Sequence, residues 1–136
     1  MKFHHVGVHV SDFDKSKPLY DAIMNALDFE DYDVPGHICH AWGTVTNSFR
    51  IVQPPSGEIS ASSSHICFEA PDEEAVKKFY ETGVKLGAKG LSAPNEYVDW
   101  GMRHLTTMLE DYDGNHIEAV YVDKENPVGP EETRHQ

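Results

Sequence analysis

One stretch of this chain occurs twice. His5-Val6-Gly7-Val8-His9-Val10-Ser11-Asp12 returns sixty positions later as His65-Ile66-Cys67-Phe68-Glu69-Ala70-Pro71-Asp72, and Leu19-Tyr20 returns at the same offset as Phe79-Tyr80. Each copy reads as a strand opening on a histidine, then a cap, then an amphipathic helix. A fixed-period repeat sets the architecture before any local assignment is made. It also puts one histidine at the same point of each half. Two symmetry-related histidines are a means by which a duplicated scaffold can build a metal site.

The length of 136 residues fits one domain with a sizeable core. Eleven Lys and Arg stand against 23 Asp and Glu, a net charge of −12. That balance argues against nucleic acid or an anionic membrane as partner, since both need clustered positive charge. An anionic small substrate stays allowed, because a cation in a pocket overrides the net field locally. Cys39 and Cys67 are too few for a disulfide framework and lack Cys-x-x-Cys spacing. With no membrane-length apolar run and no leader pattern, a soluble cytoplasmic protein is expected.

In Phe3–Val10 the valines alternate with His5, Gly7 and His9, the pattern of a half-buried strand. The histidine face carries a glycine that leaves room for a ligand. Pro18 is best placed in a first helical turn, so the helix is expected to start near Lys15–Lys17. Its stripe is Leu19, Tyr20, Ile23, Met24 and Leu27. Cys39–Val45 and Ser48–Gln53 read as strands, and the Ser- and Gly-rich Gly57–Ser64 as the linker between halves. The second half repeats the plan. Strand His65–Ala70 is followed by a helix opening on Pro71-Asp72-Glu73-Glu74 and closing near Gly87. Ser92–Gly101 reads as loop-prone. Arg103–Glu110 and His116–Val122 read as strands around a tight turn at 111–115, and the Pro- and Glu-rich end as a tail. The domain is expected over 1–124, with modules at about 1–56 and 65–124 and a tail at 125–136.

The closing pattern Asp111-x-Asp113-Gly114-Asn115-x-Ile117-Glu118, set behind two strand-opening histidines on a two-module chain, resembles the vicinal oxygen chelate superfamily. That group includes glyoxalases, fosfomycin- and bleomycin-resistance proteins and extradiol dioxygenases, and the resemblance spans residues 3–122. It implies an α+β fold of two tandem βαβββ modules forming a curved mixed sheet, with helices outside and a metal-binding cup. It also implies His5, His65 and Glu118 as ligands of one divalent ion (Zn, Fe, Mn, Ni or Mg). Arg50 falls at the family's fourth ligand position. Arginine stays protonated and cannot ligate. This departs from the glyoxalase I pattern and brings the chain nearer the fosfomycin-resistance proteins.

Two imidazoles and a carboxylate on one side of an ion leave positions open for substrate oxygens. Such an ion can hold an enolate or diolate. Arg50 beside it could anchor a carboxylate or phosphate with its two-pronged geometry. His9 and Glu69, two residues inward from the histidines, are candidate proton carriers with Glu118. His4 should face away from His5. His37, His40 and His104 could reach a substrate, though nothing in the sequence requires it, and Trp42, Trp100 and Tyr97 suit either a pocket wall or the core. The expectation is a metal-dependent lyase or isomerase acting on a small oxygenated, anionic substrate, built as a homodimer. Fe(II) ring-cleaving dioxygenation is the enzymatic alternative. A metal-free binding protein of the bleomycin-resistance type is the alternative from another class.

Overall fold

A computed structural model describes residues 1–57, 59 and 64–128. The expected Gly57–Ser64 linker and C-terminal tail lie largely outside these residues. The chain order is β1 (His5–His9), α1 (Phe13–Ala26), β2 (Asp31–Asp33), β3 (Cys39–Thr44), β4 (Asn47–Val52), then β5 (His65–Glu69), α2 (Glu73–Lys85), β6 (Lys89–Asp99), β7 (Met102–Glu110) and β8 (His116–Asp123). Each half is a βαβββ module, as the family resemblance implied. Its strands form one mixed four-stranded sheet, ordered β1-β4-β3-β2 in the first half and β5-β8-β7-β6 in the second. In both, the first and last strands of the module pair in parallel, β1 with β4 and β5 with β8. Among the described residues no helix is long and apolar enough to cross a membrane.

Local chemistry explains the helix starts. Asp12 and Asp72, equivalent in the repeat, are the N-caps. Their side chains accept from the backbone N–H of Lys15 and Ala75, three residues on. α1 therefore begins at Phe13, earlier than Pro18 suggested, and the proline lies inside the helix. It is tolerated because Asp14, whose carbonyl loses a donor four residues on, is exposed to water. α2 ends at Lys85 with Leu86 as its C-cap, and Gly87 follows at a φ of +95°, which glycine adopts without steric cost.

Two strands were illegible in the sequence. Asp31–Asp33 is a three-residue edge strand whose polar composition hides it. Most of the stretch expected to be a loop at Ser92–Gly101, up to Asp99, belongs to the eleven-residue β6. Pro94 and Gly90 suggested a loop, but β6 is the sheet's edge and its register with β7 shifts twice, between Gly90 and Ser92 and between Ser92 and Asn95. Edges and bulges are where a strand tolerates proline. Trp100 and Gly101, both at positive φ, make the two-residue hairpin into β7.

The apolar faces of both sheets share one core with both helices. Val8 and Val10, Leu19, Ile23, Trp42, Phe49 and Ile51 from the first half join Val76, Phe79, Leu109, Ile117 and Ala119 from the second. α1 and α2 pack on each other within it. Polar bonds also clasp the halves. The buried Tyr20 hydroxyl donates to Asp111 Oδ2 at 2.6 Å, Asn115 Nδ2 donates to the His9 carbonyl, and the Ser11 amide donates to Asp113. The 111–115 turn is therefore a fastening between modules as well as a hairpin. Each sheet turns its other face away from this shared core. Those outer faces carry His5, Gly7 and His9 on β1, and His65, Cys67 and Glu69 on β5.

Candidate functional site: two separate half-sites

The register of β5, β8 and β7 assembles one half-site. His65 stands opposite His116 and Cys67 opposite Glu118. In the antiparallel direction Met108 faces Glu118 and Thr106 faces Val120. These residues share the outer face of the second sheet. His65 Nε2 lies 2.5 Å from Glu118 Oε1, and the buried Thr106 hydroxyl donates to Glu118 Oε2. The carboxylate is thus oriented by a hydroxyl on one oxygen and meets an imidazole on the other. Two donor atoms of metal-ligand type converge here, with a third group holding the carboxylate in place.

The surroundings disfavour a further negative charge. Burial of the sulfur, then the charge and hydrogen bond of Glu118, push the Cys67 thiol up to about 12. Burial, then Glu118 and Cys67, also raise the Tyr97 phenol. Tyr97 stacks on His104 with ring centroids 4.7 Å apart, forming an aromatic wall on this face. Glu69 turns to Lys124, at 2.9 Å in an exposed pair.

The other half-site lies on the first sheet. The register places Gly7 opposite Arg50, with His5 opposite Ser48 and His9 opposite Val52, so Arg50 shares a face with both histidines. His5, Gly7, His9, Arg50, Val52, Cys39, Val34 and His37 line one cavity of about 320 Å³. A Cβ on Gly7 would sit 3.4 Å from the Arg50 carbonyl oxygen and 3.8 Å from its Cβ, so glycine keeps this floor open. Arg50 Nε and Ser48 Oγ are shielded from solvent and have no hydrogen-bond partner among the described residues. The expectation that His4 faces away from His5 fails. β1 begins only at His5, so strand alternation does not govern His4, and the two rings meet with their Nδ1 atoms 3.0 Å apart.

The expected ligands therefore divide within one chain. His65 and Glu118 come together on the second sheet, while His5 lies with Arg50 and His9 on the first. A separate cluster went unread in the sequence. Asp21, Asp31 and His40 bring three ligand-type atoms within 4.8 Å of one another, a geometry able to hold a metal. Its members are also paired internally. His40 bridges Asp31 at 2.7 Å and Asp33 at 3.1 Å, Lys17 meets Asp21, and Trp42 Nε1 donates to Asp21. The His40 hydrogen bond holds the Asp31 carboxyl below its usual range. Thr106 was also missed, although counting back from the 111–115 turn would have put it on the face of Glu118.

Comparison with known proteins agrees with this architecture. A family model, the Glyoxalase/Bleomycin resistance protein/Dioxygenase superfamily, matches residues 2–119. No curated protein matches significantly. Among solved structures, a glyoxalase/bleomycin resistance protein from Albidiferax ferrireducens T118 is similar, with 26% identity and a TM-score of 0.75 over 88% of this chain and 98% of that one. A glyoxalase/bleomycin resistance protein/dioxygenase family enzyme from Burkholderia phytofirmans PsJN shares the fold at 16% identity and a TM-score of 0.66, over 90% of this chain and 100% of that one. With the family model covering both modules and the outer-face residues disposed as described, the chain belongs to the glyoxalase/bleomycin resistance protein/dioxygenase superfamily.

Proposed function

We propose that this protein is a metal-dependent enzyme of lyase or isomerase type, acting on a small oxygenated, anionic substrate, with its site completed between two copies of the chain. The observation that carries the reading is the His65–Glu118 pair, oriented by Thr106 on an outward-facing sheet and joined by no third metal-type ligand among the described residues. His5 of a second copy would supply that ligand. β1 and β5 are both edge strands. Between them opens an apolar cavity of about 780 Å³, lined by Val6, Phe29, Phe49, Ile66 and Phe68 among others. Open edges and apolar surface of this kind favour a symmetric partner.

The donor set fits a divalent ion: two imidazoles and one carboxylate, the carboxylate already held by a hydroxyl. Bound there, an ion would act as a Lewis acid toward a substrate oxygen and stabilise negative charge on it. The chain's own residues do the rest. Thr106 fixes Glu118, Arg50 orients the anionic end of the substrate, and the Tyr97–His104 wall shields one side. Glu118 and His9 are the proton carriers, His9 being exposed beside Arg50. Glu69 would first have to leave Lys124.

The test is complementation. His5→Ala and Glu118→Ala variants should each lose metal, measured by elemental analysis. Mixed and reassembled, they should recover about one quarter of the wild-type metal content, because half of the dimers are mixed and each holds one intact site of two. No recovery would place the site within one chain. Full metal in both single variants would overturn the ligand set.

A further inference from the structure

The cavity on the first sheet has a composition unusual for so acidic a chain. Three histidines and one arginine line it, and no Asp or Glu does. The chain as a whole carries 23 acidic residues against 11 basic ones. A carboxylate-free basic pocket on such a background is a local sink for an anion, since the field inside a cleft is set by its nearest charges. Arg50 sits at its floor with no ion pair among the described residues and with Nε shielded and unpartnered. A buried guanidinium N–H without an acceptor is costly, and an incoming oxyanion supplies the acceptor.

Resting on the reading of Arg50 above, we propose that this cavity is a preformed subsite for a phosphoryl-type oxyanion of the substrate, anchored by Arg50 and His37 and complete within one chain. Arg50 rises from β4 between Gly7 and Ala41, the residues opposite it on β1 and β3. Both are small, so its planar fork has room to engage two oxygens at once. His37 enters from the β2–β3 connection, and His5 and His9 from β1. Each imidazole offers at least one N–H in either protonation state. Donors arriving from three separate segments suit a group with three terminal oxygens better than a flat carboxylate with two. The volume of about 320 Å³ exceeds an oxyanion alone and leaves space for the atoms that carry it. His37, which the sequence allowed to reach a substrate without requiring it, thereby gains a role through the bend that returns the chain to β3.

Isothermal titration of the full-length protein with inorganic phosphate tests this, at constant ionic strength and with acetate as the carboxylate probe. Chelator-treated protein is titrated alongside untreated protein, so that a direct bond between phosphate and a metal is separated from the subsite. The expected result is saturable phosphate binding in both preparations, at one site per chain. It should weaken at least tenfold in Arg50→Ala and several-fold in His37→Ala, and stay unchanged in Arg103→Ala, which removes a cation from the other sheet. Arg50→Lys should recover part of the loss, since it restores charge without the fork. Phosphate binding that vanishes with the chelator, equal loss in Arg103→Ala, or acetate binding as tight as phosphate would each overturn the proposal. If the complementation experiment fails while phosphate still binds through Arg50, the metal reading falls and this subsite stands.

Discussion

Thr106 and Glu118 lie on adjacent strands, and the threonine hydroxyl donates to one carboxylate oxygen while His65 meets the other. Thr106 is 4% exposed, so its hydroxyl has little recourse to water. Replacing it with valine keeps the shape and removes the donor. Thr106→Val should weaken metal binding by about 10–100-fold, the usual cost of losing a group that orients a ligand. Thr106→Ser should retain most of the affinity. Metal titration followed by elemental analysis reads both, and wild-type affinity in the valine variant would remove Thr106 from the site.

The Tyr20–Asp111 bond should be a main fastening between the modules. Asp111 is buried and accepts from Tyr20, from Asn115 Nδ2 and from the amides of Asp113 and Asn115. Tyr20→Phe removes one donor to a buried carboxylate and should cost about 1–3 kcal/mol in urea denaturation. The bond also carries a pH signature. Burial, followed by the Asp111 charge and hydrogen bond, holds the Tyr20 phenol well above its ordinary value. A raised folded value favours the protonated form, so its contribution is complete below an unfolded value of about 10 and is lost as pH rises beyond it. The stability gap between wild type and Tyr20→Phe should therefore narrow above about pH 10. A gap that widens there would contradict the assignment.

The sequence made the fold readable where periodicity and repetition agreed. The paired His5 and His65 openings and the Asp12 and Asp72 caps lie at repeat-equivalent positions, and the 111–115 turn lies where its turn-forming residues put it. β6 was hidden because Pro94 and Gly90 are loop formers unless the strand is a bulged edge, and edge position is a tertiary property. The site was half legible. The family resemblance grouped Glu118 with His65 and set Arg50 near His5, but no local pattern states whether two sheets turn their outer faces toward or away from each other. That depends on α1 packing against α2, which the amphipathic stripes leave open. The Asp21–Asp31–His40 cluster escaped for a similar reason, since it joins a helix to two strands through long-range contact.

Cys67 should react slowly despite lying on an exposed strand face. With its thiol pushed up to about 12 by burial and by Glu118, almost none is thiolate at neutral pH. Iodoacetamide labelling of metal-free protein, followed by mass spectrometry, should be far slower than for a free cysteine whose value is about 8.5. Glu118→Gln removes the charge among the causes and should speed labelling at Cys67. Rapid labelling of the wild type at pH 7 would show that Glu118 is not near the sulfur in solution.

Gly83 poses a conflict between propensity and packing that a single variant resolves. It lies inside α2, where alanine would ordinarily stabilise by about 1 kcal/mol relative to glycine. A Cβ there, however, would meet Leu109 Cδ1 at 2.3 Å and Ile23 Cγ2 at 3.3 Å. Leu109 and Ile23 are each 1% exposed, so neither can swing into solvent to make room. Overpacking of this kind typically costs about 1–3 kcal/mol, enough to cancel or exceed the propensity gain. Gly83→Ala should therefore be neutral to destabilising in urea denaturation. Leu109→Ala alone should cost about 2–5 kcal/mol by opening a cavity. In the double variant the new methyl occupies part of that cavity, so the combined loss should be smaller than the sum of the single losses. Strict additivity, or a clear stabilisation by Gly83→Ala alone, would mean that α2 does not approach Leu109 of β7 at Gly83 as closely as the core requires.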